Sequence, residues 1–278
     1  MVKCLKREVT KQMKKMLVAG LSLVLAFSLA ACGEKKDTSA SGGKKIMVAT
    51  DASYAPMESM DKDKIVGFDI DFLAEVMKEA KLDYEVKNTG WDTMLESVKQ
   101  GTEYQMGISS ISITDERKGS YDFSIPYFES TNMILVKEGS SIKTALDLKD
   151  KKVAVQGATT ADELMTKIMG NGSSNLKKYE SNVLAFMELD KGGVDAAVAD
   201  VAIVREYAKN NPNKKFATIL DKTNFGAEFY GLAFPKGSDL KAKLDPAIKT
   251  VLENGTYAKV YKKWFGEEPN VDVILKAK

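Results

Sequence analysis

The sequence predicts an α/β fold, and three observations carry that expectation. Short apolar runs of strand character alternate with amphipathic helical stretches from residue 46 onward. The same alternation starts afresh at Met133. About 235 residues follow Lys44, enough for one large domain or two modest lobes. Alternation of this kind is the pattern of a sheet covered by helices.

Ile46 to Thr50 reads as the first strand, ending at Asp51 and followed by a polar turn through Ser53, Tyr54 and Pro56. Gly67 to Leu73 leads into a helix in which Phe72, Val76 and Ala80 share a face. Asp71 lies in its first turn, where negative charge is favoured. Tyr84 to Lys87 is a second strand, Trp91 to Lys99 a helix with Met94, Leu95 and Val98 apolar, and Met106 to Ile113 a third, buried strand. After the restart, Met133 to Val136 and Lys152 to Val155 are strands separated by a connector at Leu146 to Asp150. Thr159 or Thr160 caps a helix beginning near Ala161, with Asp162 and Glu163 in its first turn, and Asn171 to Asn175 breaks it. Lys177 to Tyr179 is a small strand, Val183 to Lys191 a helix, and Ala196 to Ala199 a buried strand ending at Asp200. Val201 to Ala208 is helical and Phe216 to Ile219 a strand. Tyr230 to Phe234 is a strand leading to the turn Pro235-Lys236-Gly237-Ser238, before terminal helices at Leu240 to Asn254 and Tyr257 to Phe265.

Ahead of this part, Lys3, Lys6, Arg7, Lys11, Lys14 and Lys15 precede the apolar run Met16 to Leu29, the layout of an export signal over residues 1–31. The run is about 14 residues, short of the roughly 20 that a bilayer-spanning helix needs. Leu29-Ala30-Ala31-Cys32 resembles the lipobox of bacterial lipoproteins, which implies cleavage before Cys32 and diacylation of that cysteine. Residues 32–45 are dominated by Gly, Ser, Lys and other small or polar types, so they read as a flexible leash.

The whole chain has 41 basic and 39 acidic residues; the first 31 hold six of the basic ones and Glu8, which leaves 35 against 38, net −3. The basic balance therefore belongs to the leader and gives no ground for nucleic-acid binding. Cys4 goes with the leader, so the exported part has only Cys32 and neither a disulfide framework nor a cysteine metal site. The chain has 0 histidines, which excludes His-based triads and His zinc sites. Carboxylate chemistry remains open.

Seven strings in order resemble the polar amino-acid-binding family of ABC-importer substrate-binding lipoproteins, bacterial solute-binding protein family 3. They are Thr50-Asp51-x-x-Tyr54-x-Pro56, Gly67-Phe68-Asp69-Ile70-Asp71, Ser109 to Arg117, Tyr121-Asp122-Phe123-Ser124-x-Pro126-Tyr127, Val155 to Thr160, Asp195-Ala196-x-x-x-Asp200, and Gly255-Thr256-Tyr257-x-x-x-Tyr261-x-x-Trp264-Phe265. The resemblance implies a two-lobed, periplasmic-binding-protein-like fold of type II, each lobe a sheet flanked by helices, with ligand in the cleft between them. Lobe 1 would take residues 46–136 plus 229–278 and lobe 2 residues 137–228, with hinge strands near Leu135 to Lys137 and Phe229 to Gly231. It further implies a monomer, anchored by lipid on the extracytoplasmic face of a bacterial cell membrane of the Gram-positive kind. Its partners would be a free amino acid and ABC permease subunits, with no cofactor and no metal.

A free amino acid is a zwitterion, so its pocket needs a cation, an anion and a wall that reads the side chain. The resemblance assigns Arg117 to the α-carboxylate, which a guanidinium meets with two parallel hydrogen bonds. Ser112, the Ser110 backbone, and Thr159 and Thr160 at a helix start would add donors. Asp200, appearing where a buried strand emerges, is assigned to the α-ammonium, its alternative role being to cap the helix from Val201. Asp195 reads as structural. Tyr54, Trp91 and Asp51 would form the wall, with Glu58 and Gln156 as weaker additions. Together these residues tilt the expectation to lysine, arginine or a related cationic amino acid, with glutamine or another neutral polar amino acid as the rival. Two departures from the family pattern stand out: Gln105 where an acid is common, and Met57 where phenylalanine is usual. A dehydratase-like enzyme and a ligand-sensing surface lipoprotein are the other readings. Against the enzyme, the sequence has no nucleophile–base spacing, phosphate loop or metal cluster.

Overall fold

The computed structural model describes residues 45–277. The export signal, Cys32 and nearly all of the leash lie outside the described residues.

Two five-stranded sheets organise the described residues. In the first, strands run in the order Tyr84–Asn88, Ile46–Thr50, Met106–Gly107, Ala233–Pro235, Tyr121–Phe123. Ile46–Thr50 is parallel to both neighbours, while Ala233–Pro235 is antiparallel to its own. In the second the order is Leu176–Tyr179, Val153–Gln156, Ala196–Asp200, Asn132–Lys137, Phe216–Ile219, again parallel on one side and antiparallel on the other. Helices cover both faces of each sheet, so the inner strands are mostly apolar, with polar residues at strand ends; Val153–Gln156 and Ala196–Asp200 are buried at every position. On the first sheet, helices Phe68–Ala80, Leu240–Glu253 and Thr256–Phe265 pack on one face and Trp91–Gln100 on the other. On the second, Thr160–Met169 packs on one face, and Asn182–Lys191 and Val201–Asn210 on the other. Each sheet with its helices is one lobe.

The chain passes between the lobes twice, through an antiparallel ribbon of Phe128–Ser130 and Glu228–Tyr230. The returning strand is Glu228–Tyr230, beside the hinge that the resemblance implied near Phe229 to Gly231. The other implied hinge is not a crossing: Leu135 to Lys137 lie inside the strand Asn132–Lys137, which hydrogen-bonds to Ala196–Asp200 and Phe216–Ile219 in the second sheet. A boundary between residues 136 and 137 would cut that strand, because an apolar run says that it is buried but not in which sheet.

Two other elements differ from the sequence reading. Met106 to Ile113 is a strand only over Met106–Gly107; beyond it Ser110 turns to φ 50° and the chain bends into the cleft. Tyr230 to Phe234 is interrupted at Gly231, whose N–H bonds to Ile111 and where a Cβ would lie 2.8 Å from Ile113. The polar turn after Asp51 is a small three-stranded sheet, Ser53–Tyr54, Glu58–Asp61 and Lys64–Val66, and a last helix spans Val271–Lys276. Among the described residues, no helix is long and apolar enough to cross a membrane.

Candidate functional site

Strands Ile46–Thr50, Val153–Gln156 and Ala196–Asp200 point their carboxyl ends at one interlobe cavity, the position at which open α/β sheets present ligand sites. Its space free of protein atoms, mouth included, is about 390 Å³. The first lobe lines it with Asp51, Tyr54, Trp91, Ser109, Ser110, Ser112 and Arg117. The second contributes Gln156, Thr159, Thr160, Ala161, Asn182, Ala199 and Asp200. Of the ligand-binding candidates read from the sequence, only Glu58 stays out of the lining; it is wholly buried beneath it.

Asp200 forms the acidic pole. It occupies the N-cap position of helix Val201–Asn210 yet makes no side-chain cap. Its Oδ2 instead accepts from the hydroxyls of Tyr54 at 2.7 Å and Tyr230 at 2.6 Å. Burial raises the Asp200 carboxyl, while the two tyrosine bonds and the charge of Arg117 hold it down. The Tyr54 bond crosses from one lobe to the other.

Arg117 is the basic pole, 8% exposed. It sits on the short helix Asp115–Lys118, which Thr114 caps by accepting from the Arg117 N–H. Nη1 donates to the Ser112 carbonyl at 3.0 Å and Nη2 to the Ala158 carbonyl at 3.1 Å. The guanidinium lies 5.4 Å from the centre of the Trp91 ring, within cation–π range. Burial lowers its pKa, opposed by Glu163, Glu228 and Asp200. Trp91 Nε1 donates to the same Ala158 carbonyl at 3.2 Å. Ala158 sits at φ 56°, a left-handed turn that aims this carbonyl at the other lobe.

Asp51 stands at the end of its strand. Oδ1 accepts from Ser53 Oγ at 2.8 Å and Oδ2 from Gln156 Nε2 at 3.2 Å, a second bond across the cleft. Gln156 is itself held by Asn182, which donates to its Oε1 at 2.6 Å. Thr159 caps helix Thr160–Met169, accepting from the Asp162 N–H, so that the helix N-terminus opens on the cavity.

Four expected contributions are redirected. The Ser110 N–H donates to Asp69 Oδ2 at 2.7 Å and is not free for a ligand. Ser112 Oγ and Thr160 Oγ1 both donate to Glu228, at 2.6 and 2.8 Å. Glu58 accepts from Ser109 Oγ at 2.7 Å, and Ser109 Oγ accepts the Asp51 N–H at 3.1 Å, so Glu58 acts on the site through the backbone at Asp51. The departures are also local: Gln105 Oε1 accepts the Met47 N–H at 2.9 Å, and Met57 is fully buried in the first core, away from the cavity wall. Asp195 accepts the Lys152 N–H at 2.8 Å, a bond between strand ends that suits a structural role.

Sequence reasoning missed Glu228, Asp69, Asn182 and the Ala158 carbonyl. Asp69 stands in one of the quoted strings, so its position was visible although its task was not. A backbone carbonyl leaves no signal in side-chain identity. Among the described residues no group of acidic, His or Cys side chains has the geometry to hold a metal ion.

The family model described as bacterial extracellular solute-binding proteins, family 3, matches residues 46–267. A protein of Neisseria gonorrhoeae named a probable histidine-binding protein is 38% identical over 265 residues, 92% of this chain and 97% of that one. The ABC transporter glutamine-binding protein GlnH of Bacillus subtilis (strain 168) is 33% identical over 279 residues, 92% of this chain and 99% of that one. Among solved structures, the arginine-, lysine-, histidine-binding protein ArtJ of the thermophile Geobacillus stearothermophilus is 56% identical with a TM-score of 0.82, covering 84% of this chain and 100% of that one.

Proposed function

The chain belongs to family 3 of the bacterial extracellular solute-binding proteins, and from that premise we propose that the amino acid it captures is cationic, of the lysine or arginine kind. The family makes it a non-catalytic binder outside the cytoplasmic membrane that serves an ABC importer for a polar amino acid.

One observation carries the basic reading. The cavity lining holds two carboxylates, Asp51 and Asp200, against one guanidinium, Arg117. A neutral zwitterion would leave that set one negative charge out of balance, at a site largely shielded from water; a ligand with a cationic side chain balances it. In this arrangement the α-carboxylate meets Arg117 and the start of helix Thr160–Met169, the α-ammonium meets Asp200, and the side-chain cation meets Asp51 between Tyr54 and Trp91. Two of the three relatives described above are named for basic amino acids, which supports the same reading.

Glutamine is the second reading, favoured by the side-chain amides of Gln156 and Asn182 beside Asp51 and by the relative named for it. Calorimetric titration of Asp51→Asn separates the two. The expected result is a loss of about ten-fold or more for arginine and lysine, about 1.4 kcal/mol, with glutamine changed far less. Equal losses for all three would remove Asp51 as the reader of the side chain.

Our reading of residues 1–45 is an export signal, a lipid on Cys32 and a short leash, which would hold a monomer on the outer face of a Gram-positive cell membrane within reach of the permease. Two acyl chains suffice for stable anchoring. Cys32→Ala is then expected to move the protein from the membrane fraction to the medium, and its retention in the membrane would count against lipidation.

A further inference from the structure

Glu228 stands on the second crossover strand, where the chain returns from one lobe to the other. Its carboxylate joins three elements far apart in sequence. Oε2 accepts from Ser112 Oγ in the first lobe at 2.6 Å and from Thr160 Oγ1 in the second at 2.8 Å. Oε1 accepts from Asn132 Nδ2 at 2.5 Å. A hydroxyl has one proton to give and two lone pairs to offer. With both protons committed to Glu228, the Ser112 and Thr160 oxygens turn only lone pairs toward the cavity that they line. Lone pairs repel a carboxylate and suit an ammonium.

We propose that Glu228 is a positioning residue of the amino-acid site: its carboxylate makes the Ser112 and Thr160 hydroxyls acceptors for the ligand's ammonium and ties the lobes together there, so that ligand affinity follows the charge on Glu228. The inference rests on the amino-acid reading of the cavity. It leaves the ligand's carboxylate to Arg117 and to the backbone N–H groups at the start of helix Thr160–Met169.

The charged and titratable groups facing Glu228 are Arg117 from helix Asp115–Lys118, Asp200 at its strand end, Glu163 from helix Thr160–Met169, and Tyr54. Burial and the nearby Asp200 push the Glu228 carboxyl up to about 7, while its two hydroxyl bonds and Arg117 pull the other way. Its charge therefore changes in the range of ordinary buffers. Arginine carries one more positive than negative charge, and its guanidinium does not titrate there. Its arrival favours the ionised form of Glu228, so binding releases protons near neutrality and tightens as pH rises.

Titration calorimetry with L-arginine tests this. The unmodified protein is expected to bind about three- to ten-fold more tightly at about pH 8 than at about pH 5.5, the span of a shift of half to one pKa unit. Two buffers of different ionisation enthalpy at neutral pH should report a release of part of a proton. Glu228→Gln keeps a carbonyl acceptor but cannot ionise, and is expected to flatten the profile; Glu228→Asp should restore a pH dependence. A Glu228→Gln profile identical to that of the unmodified protein overturns the proposal. So does an unmodified protein that exchanges no proton on binding, a result that needs no variant to fold. Tight binding with a flat profile defeats the role of Glu228 alone, whereas no binding of arginine, lysine or glutamine at any pH defeats the amino-acid reading as well.

Discussion

Beneath the cavity floor, two carboxyl groups face each other without a counter-charge. Glu58 Oε2 and Asp69 Oδ1 are both buried and both without a hydrogen-bond partner. Two acceptors cannot satisfy one another unless they share a proton, and burial together with the mutual repulsion raises the Glu58 carboxyl well above its ordinary value. Burial likewise lifts Asp69, to about 6, against the bonds from the Ser110 N–H and Tyr127 that favour its charge. With the proton on Glu58, Asp69 accepts from Ser110 and Tyr127, and Glu58 fixes Ser109. Both groups have folded-state values above those of the unfolded chain. Their contribution to stability is thus complete below the unfolded carboxylate range and is lost as pH rises through the folded values. Thermal melts are expected to show a midpoint that falls between about pH 5 and pH 7.5, with a shallower fall in Glu58→Gln, which removes one ionisation. A variant with an undiminished slope would show that the pair does not carry it. From the sequence, Glu58 was a candidate for the ligand and Asp69 had no task. An acid in a motif does not reveal whether it faces a cleft or a second acid under it.

At the scale of elements, most of the architecture was legible because burial leaves periodic marks. The strand Ile46–Thr50 and the strand Phe216–Ile219 lie where their apolar patterns place them, and helix Trp91–Gln100 exceeds its expected span by one residue. The cap at Thr159 was one of two named possibilities, and the Asp162 N–H chose it. What periodicity concealed was where the pattern breaks for the sake of the site. Ser109 and Ser110 sit inside an apolar run that looks like one strand, but the run ends after Gly107 so that the serines can turn toward Glu58 and Asp69. Gly67 ahead of helix Phe68–Ala80 is a second such place. Its φ is +147°, and a Cβ there would lie 2.0 Å from the Met57 carbonyl, so only glycine lets the small sheet lie against the helix start. Ala158 shows the same limit from the other side: its left-handed turn serves both Trp91 and Arg117 with one carbonyl, and nothing in an alanine announces that.

For the whole molecule, the lobes are joined by a two-stranded ribbon and meet across the cleft through individual hydrogen bonds. Tyr54 with Asp200, Gln156 with Asp51, and Trp91 and Arg117 with the Ala158 carbonyl all span it. The guanidinium of Arg117 belongs to one lobe and the carboxyl of Asp200 to the other, the proposed poles for a carboxylate and an ammonium. A ligand that carries both groups can bond to both lobes at once, and it favours the closed arrangement only by the affinity it gains there. The family resemblance implied two lobes, but the strand Asn132–Lys137, where it put the first crossing, lies within the second sheet. The direct measurement compares L-arginine with agmatine, the same molecule without its α-carboxylate, by titration calorimetry. Arginine is expected to bind at least about a hundred-fold more tightly, the worth of a buried bidentate charge pair. Agmatine bound as tightly as arginine would mean that Arg117 does not hold the ligand and that the two-pole account of this cleft is wrong.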